Sequence, residues 1–457
     1  MADKAASLRG EQTVLFTNRQ LVALMWPLLL EQFLAITVGL ADSLMVATVG
    51  DAAISAVSLV DSISNLMIYI FSAMATGGAA VAGQYIGQRQ KEDACHAGQQ
   101  LIALLAAVSV FFVALLYLFR AQVLTVMFGH IEPDVMAATN TYYLYVMASI
   151  PGIALYNGGA ALWRTMGRSD ISLKVSLLMN GINVAGNAIL IFGFGMDVAG
   201  VAIPTLVSRT VAAAVILGML FNDKLTLHLS NVRAFRLDVR LMKNIFYIGV
   251  PSGVENGMFH LGRLVLFSLI STFGTAAMVA NAIGNTIANF NCFSGSAINL
   301  GLAAVVSQCV GAGEFDQARA YMKKIVKWTY GIMAVVNLGI MALLPLIMRV
   351  YNVSPEAEKL AVTVSLIHGI SSIFLWIPAF TIPSFLRAAG DAQFTMLASM
   401  TTMWLVRVLL AYVLGRYLGY GVVGVWFAHA ILDWLVRGAV FILRYRSGKW
   451  ESMGIKT

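Results

Sequence analysis

The residues most able to do chemistry here are acids and amides set inside apolar runs. Residues 25–50 begin Met-Trp-Pro-Leu-Leu-Leu-Glu and continue as a mostly apolar stretch interrupted by Asp42. An ionised carboxylate at membrane depth is costly, so such an acid is a functional candidate by default. Glu31 and Asp42 are eleven residues apart. At about 100° per residue this brings them within about 20° of one helical face. Asn183 and Asn187 lie one turn apart near the outer end of a later segment, and Thr205 lies early in the one after it. Read as spans of alternating direction, these segments place Asp42, Asn183, Asn187 and Thr205 at one depth. A carboxylate, two carboxamides and a hydroxyl suit a small cation or a proton relay. The same amides and hydroxyl could instead hydrogen-bond helices together.

Other polar residues are ranked below this group. Glu31 and Glu255 each follow a proline by one turn, at a plausible bending point. His260 and Arg263 add polarity beyond Glu255, so Glu255, Glu31, Asp61 and His260 form a secondary list for substrate or a second ion. Asp61 and Asn65 share a face and could line a cavity or a helix contact. Asp433 and Arg437, spaced i and i+4, read as a structural ion pair. Cys95, Cys292 and Cys309 have no metal or disulfide spacing, and no phosphate-cradling motif occurs. The chain is therefore expected to be no enzyme and to use no cofactor, drawing energy from an H+ or Na+ gradient. Any metal would be Na+ at Asp42.

The elements that must position these residues are membrane helices. Of 457 residues, 59% are hydrophobic and 11% charged, whereas soluble proteins carry about 25% charged residues. Twelve apolar segments run at roughly 20–48, 54–84, 95–118, 137–163, 172–193, 198–221, 243–271, 277–309, 325–349, 360–386, 393–415 and 422–443. The net charge of +8 fits topology better than a nucleic-acid partner. Twenty-two Lys and Arg fall in the tails and alternate connections, and four in the others. The positive-inside rule then places both termini in the cytoplasm.

The chain also repeats itself at a constant offset of 224 residues. Pro27 meets Pro251, Glu31 meets Glu255, Gly50 meets Gly274, Gln84 meets Gln308 and Gly87 meets Gly311. Arg164 meets Arg387 at 223, and Gly195 meets Gly419 at 224. Each unit holds six spans, so the units share one orientation, and the substrate path is expected near their interface. Arg407 is the partner of Asn183, which opposes a cation site in the second unit. The expected fold is an all-α polytopic membrane protein of twelve transmembrane helices in two parallel six-helix repeats. The expected parts are an N-terminal tail 1–19, an N-lobe 20–221, a linker 222–242, a C-lobe 243–443 and a C-terminal tail 444–457.

At this point the chain resembles the multidrug and toxic compound extrusion (MATE) family, over both lobes, and in particular its NorM-like and DinF-like bacterial members. Val38-Gly-Leu-Ala-Asp42-Ser-Leu-Met-Val is similar to the family's first-helix acid motif. Gly83-Gln84-Tyr85-Ile86-Gly87 and Ser307-Gln308-Cys309-Val310-Gly311 resemble its paired loop motifs. Asn183-Val-Ala-Gly-Asn187 followed by Gly193-Phe-Gly-Met-Asp-Val-Ala-Gly200 resembles its fifth-to-sixth helix signature. The resemblance implies a V-shaped pair of lobes that exports cationic amphipathic compounds in exchange for Na+ or H+. It implies a cation site at Asp42, Asn183, Asn187 and Thr205. Some members carry Asp where this chain has Asn187, and here helix 10 has no acid between Ile373 and Pro383, so no second cation site is expected in the C-lobe. The implied setting is the cell inner membrane. The expected partners are cationic small molecules and the lipid bilayer, not nucleic acid, and the expected state is monomeric. The rival reading is a flippase for lipid-linked precursors, disfavoured by the acidic or neutral character of the lobe-1 residues.

Overall fold

The computed structural model describes residues 14–129, 132–229 and 237–455. The tail residues Lys4, Arg9 and Lys456, and the linker residues Arg233 and Arg236, lie outside the described residues. Twelve long helical rods dominate: α1 (Asn18–Ala47), α2 (Asp51–Gly87), α3 (Lys91–Leu118), α4 (Pro133–Thr165), α5 (Ser169–Gly193), α6 (Ala199–Phe221), α7 (Val239–Ser271), α8 (Thr275–Gly311), α9 (Phe315–Tyr351), α10 (355–388), α11 (Ala392–Tyr417) and α12 (Gly421–Arg446). Ten are long and apolar enough to cross a membrane. The other two, α4 and α7, are 33 residues each and more polar, and they pack within the bundle. The chain is a multi-pass membrane protein of two six-helix repeats.

Local sequence explains where the rods start and turn. Thr17 caps α1 in a capping box with Gln20, which satisfies backbone donors at the exposed helix start. Asp238 caps α7 by accepting from the backbone N–H groups of Arg240 and Leu241. The turns before α2 and α8 use Gly50 at φ 134° and Gly274 at φ 95°. Other residues rarely adopt such angles, so this repeat-related pair is required by the same turn in both lobes. Several helices begin a few residues before their apolar runs, α7 at Val239 within the expected linker, and the largest difference is at α9. Helix α9 begins at Phe315, ten residues before the apolar run, because its first turns are amphipathic: Ala318, Tyr321 and Met322 are buried while Lys323 is exposed. A short helix, Arg120–Phe128, sits between α3 and α4 and was not expected.

The lobes meet near the end that carries both termini. There α1 of the first lobe packs on α8 of the second, with Met25 and Leu28 against Gly301. In the same way α7 packs on α2, with Gly249 against Met74 and Gly77. Further along, contact continues to Phe33–Phe293, with centroids 5.8 Å apart, and Tyr69–His260, at 5.9 Å. A cavity of about 530 Å³ lies at this level, lined by Gln32, Ile36 and Tyr69 from the first lobe and mainly by second-lobe residues otherwise.

Candidate functional site

The N-lobe group comes together. Helix α1 presents Asp42 to α5, where Asn187 Nδ2 donates to Asp42 Oδ1 at 3.0 Å. The Asn183 amide also faces this carboxylate. An amide oxygen aimed at a carboxylate is repulsive, so its nitrogen belongs on that side. Asn183 Nδ2 then donates to Asp42 Oδ1 and Oδ2 at 3.1 and 2.9 Å, and its oxygen accepts from Thr205 Oγ1 at 3.2 Å. Thr205 Oγ1 lies 3.0 Å from the Val201 carbonyl. All four residues therefore form one connected cluster spanning α1, α5 and α6. Asn187 is fully buried, and its Oδ1 has no hydrogen-bond partner. A buried amide oxygen left without a donor is costly. It fits a cation or a water that would sit beside Asp42, and among the described residues no wider cluster of His, Cys, Asp or Glu has the geometry of a metal site.

Two neighbours were missed by the sequence reading. Tyr142 on α4 donates from its hydroxyl to Asp61 Oδ1 at 3.2 Å. Arg209 on α6 donates to Ser149 Oγ at 2.8 Å and acts electrostatically on Asp42, Asp61 and Tyr142. Arg209 and Asp61 thus add opposite charges to the surroundings of the Asp42 cluster. The signal was present: Arg209 follows Thr205 by one helical turn inside an apolar segment. Asp61 sits at the α2–α4 contact.

Glu31 is placed one level nearer the termini. It accepts from Tyr156 at 3.2 Å and Ser172 at 2.8 Å, and Arg164 interacts with it electrostatically. Its repeat partner Glu255 accepts from Arg387 Nη1 at 3.1 and 3.2 Å and from Ser399 at 2.7 Å. Arg164 and Arg387 are themselves repeat partners, so one buried acid–arginine arrangement occurs in each lobe. Glu255 and His260 line the cavity between the lobes. Asp433 and Arg437 form a fully buried ion pair at 2.7 Å.

A duplicated bundle of twelve helices, with polar clusters buried at repeat-related levels, defines a membrane transporter. The MatE family model matches residues 27–189 and 251–413, two stretches displaced by the same 224 residues that separate Glu31 from Glu255. The chain belongs to this family of multidrug efflux transporters and is no enzyme. It is 29% identical over 442 residues to the uncharacterized transporter YisQ of Bacillus subtilis, covering 95% of each chain. It is 24% identical over 454 residues to the probable multidrug resistance protein NorM of Thermotoga maritima, covering 96% of this chain and 94% of that one. Its fold matches a solved structure described as the outward-facing conformation of a multidrug resistance MATE family transporter of the MOP superfamily, with TM-score 0.85 and 18% identity over 96% of both chains.

Proposed function

We propose that this chain is a secondary-active exporter of amphipathic organic compounds, driven by H+ or Na+ entering at Asp42. The observation that carries the reading is the Asp42 cluster: a carboxylate held by Asn183 and Asn187, with an orphaned amide oxygen on Asn187 beside it. Asp42 is half-buried, a carboxylate partly withdrawn from water gains from a counter-charge, and either a proton or Na+ supplies one positive charge. Rotating the Asn183 amide exchanges its donors for an oxygen, which converts a holder of the free carboxylate into a ligand for Na+.

The Lys and Arg bias supports placing both termini in the cytoplasm of a cell with this protein in its inner membrane. The lobes then touch at the cytoplasmic end, so the conformation described is closed to the cytoplasm. Ion entry from outside would neutralise Asp42 and change how α1 packs on α5, and the lobes would reorient to expose the cavity inward. Moving one charge through about 100 mV provides roughly 2.3 kcal/mol for this cycle. A cationic cargo is supported by the N-lobe acids. A flippase for lipid-linked precursors is the second reading, favoured only by the arginines of the C-lobe.

The test is efflux from proteoliposomes with Na+ and pH gradients imposed separately. Gradient-dependent efflux in the parent and none in Asp42→Asn, at normal expression and melting temperature, is the expected result. Undiminished gradient-driven efflux by Asp42→Asn sinks the coupling assignment.

A further inference from the structure

The repeat allows the N-lobe cluster to be laid onto the C-lobe position by position. At an offset of 224, Asp42 becomes Leu266, Asp61 becomes Asn285, Asn183 becomes Arg407 and Thr205 becomes His429. All four C-lobe residues line one cavity of about 280 Å³, together with Arg263 and Trp426. Both acids have therefore been replaced by uncharged residues, and an amide has been replaced by a guanidinium. The chamber that is acidic in one lobe is basic in the other.

Neither guanidinium in this chamber is consumed by an ion pair. Arg407 is 5% exposed, and its Nε has no hydrogen-bond partner. Among the described residues no acid lies within ion-pair distance of Arg263 or Arg407. The nearby acids are engaged elsewhere: Asp433 holds Arg437, and Glu255 holds Arg387. Asp433 exerts a residual attraction on Arg407, and Arg263 repels it. Arg263 is exposed and Arg407 is buried, and a buried guanidinium held near a like charge is unfavourable without a counter-charge. The local backbone is also unusual. Arg407 lies in a π-helical turn at Met403–Val408 and His429 in another at Ala428–Asp433. Such turns concentrate at functional sites because they re-aim side chains.

We infer that Arg263 and Arg407 form a binding site for the oxyanion group of an amphipathic substrate, with the aromatic wall at Trp426 and Phe267 holding its apolar body. Guanidinium groups suit carboxylate, sulfonate or phosphate because their N–H donors match a planar or tetrahedral oxyanion. Asn285 and His429 add further hydrogen-bonding groups to the lining. This site shares His260, Arg263, Asn285, Asn289, Arg407 and His429 with the larger inter-lobe cavity, so an anion enters it from the transport path. The inference deepens the export reading, on which its transport meaning rests, by naming a charged group of the cargo. Molecules that carry an acid, including those cationic elsewhere, are then substrates.

The experiment is calorimetric titration of the purified full chain in neutral detergent with naphthalene-2-sulfonate, and in parallel with the uncharged naphthalene-2-sulfonamide. The sulfonate is expected to bind about tenfold or more tightly than the sulfonamide, as charge-assisted hydrogen bonds require. Arg263→Gln and Arg407→Gln are each expected to remove about tenfold of sulfonate affinity and to leave sulfonamide affinity unchanged. Arg407→Lys, which keeps the charge, retains most of it and stands in if Arg407→Gln does not fold by thermal melt. Adding phosphatidylglycerol, against phosphatidylcholine as control, separates the two sources of the group. Competition by the anionic lipid assigns the site to a headgroup, and no competition assigns it to a soluble organic anion. Equal affinity for sulfonate and sulfonamide in the parent, no measurable sulfonate binding, or full affinity in the Arg263→Gln, Arg407→Gln double variant overturns the inference. No gradient is present, so this outcome is independent of whether Asp42 couples an ion.

Discussion

The backbone of Gly311 lies directly against the carbonyl of Gln84: a Cβ built on Gly311 would stand 2.0 Å from that oxygen. The repeat-related contact is its mirror, with a Cβ on Gly87 2.1 Å from the carbonyl of Gln308. The two glutamine side chains tie each lobe to the other, Gln84 Nε2 donating to the Ala388 carbonyl at 3.1 Å and Gln308 Nε2 to the Thr165 carbonyl at 2.6 Å. Each glycine therefore permits the lobes to close at the end carrying the termini. Backbone cannot move aside as a flexible side chain can, so Gly311→Ala must hold the lobes apart. Transport is expected to fall by about tenfold or more, a barrier change of only about 1.4 kcal/mol, with the melting temperature nearly unchanged. Parental efflux in both Gly311→Ala and Gly87→Ala shows that this contact is not required by the cycle.

The Asp433–Arg437 pair makes a stability prediction. Both side chains are fully buried, and the guanidinium also lies 4.4 Å from the Phe259 ring centre and 5.3 Å from that of Phe380. Removing one charge leaves the other uncompensated. Asp433→Asn is expected to cost about 3–5 kcal/mol of stability, read as a large drop in melting temperature. If Asp433→Asn melts with the parent, the pair carries no such role.

The parts of this architecture that depend on local pattern were legible in the sequence. Helix ends follow apolar runs, and the duplicated Gly50 and Gly274 mark turns that need positive φ. The similar level of Asp42, Asn183, Asn187 and Thr205 could be read from rise per residue, whereas their facing one another could not. What depth cannot give is the partner of a side chain across a gap of many residues. Glu255 meets Arg387 across 132 positions, and nothing periodic announces it. Arg209 was a different omission, because Arg263, Arg407 and Arg437 were weighed in the sequence and Arg209 was not. Of 30 Lys and Arg, the topology count assigns 26 to tails and connections, and these four arginines remain inside the spans. Arg437 pairs with Asp433 as their spacing suggested, Arg209 acts electrostatically on Asp61, and the other two line the C-lobe chamber.

Glu255→Gln separates a structural acid from a coupling acid. Its carboxylate is held by Arg387 and Ser399, and it has no amide cluster like that around Asp42. Losing these charged hydrogen bonds is expected to lower stability by about 1–3 kcal/mol. Ion-driven efflux by the folded fraction should fall less than in Asp42→Asn. Complete loss of coupled efflux in Glu255→Gln, at parental melting temperature and with Asp42→Asn mild, places the coupling site in the second lobe.

If Asp42 couples an ion, as proposed, charge count at the site bears on which ion it is. Its cluster contains one carboxylate, two amides and a hydroxyl, and Arg209 already partly offsets the negative charge nearby. On the proposed reading one monovalent cation suffices for neutralisation, so H+ and Na+ are expected to compete for the same site, with neither strictly required. Proton coupling is favoured, because a single acid is a thin ligand set for selective Na+ binding. Asn187 is the position from which this balance can be moved. Its nitrogen is 3.0 Å from Asp42 Oδ1 and its oxygen is unpartnered, so Asn187→Asp puts a second carboxylate at ligand distance. Two adjacent carboxylates repel, and a bound Na+ bridging them relieves that repulsion. The Na+ concentration giving half-maximal efflux, measured at fixed pH in proteoliposomes, is expected to fall by about tenfold in Asn187→Asp, the equivalent of about 1.4 kcal/mol. Raising the proton concentration should shift it back. An unchanged Na+ dependence with efflux intact would mean that the coupling ion binds somewhere other than beside Asn187.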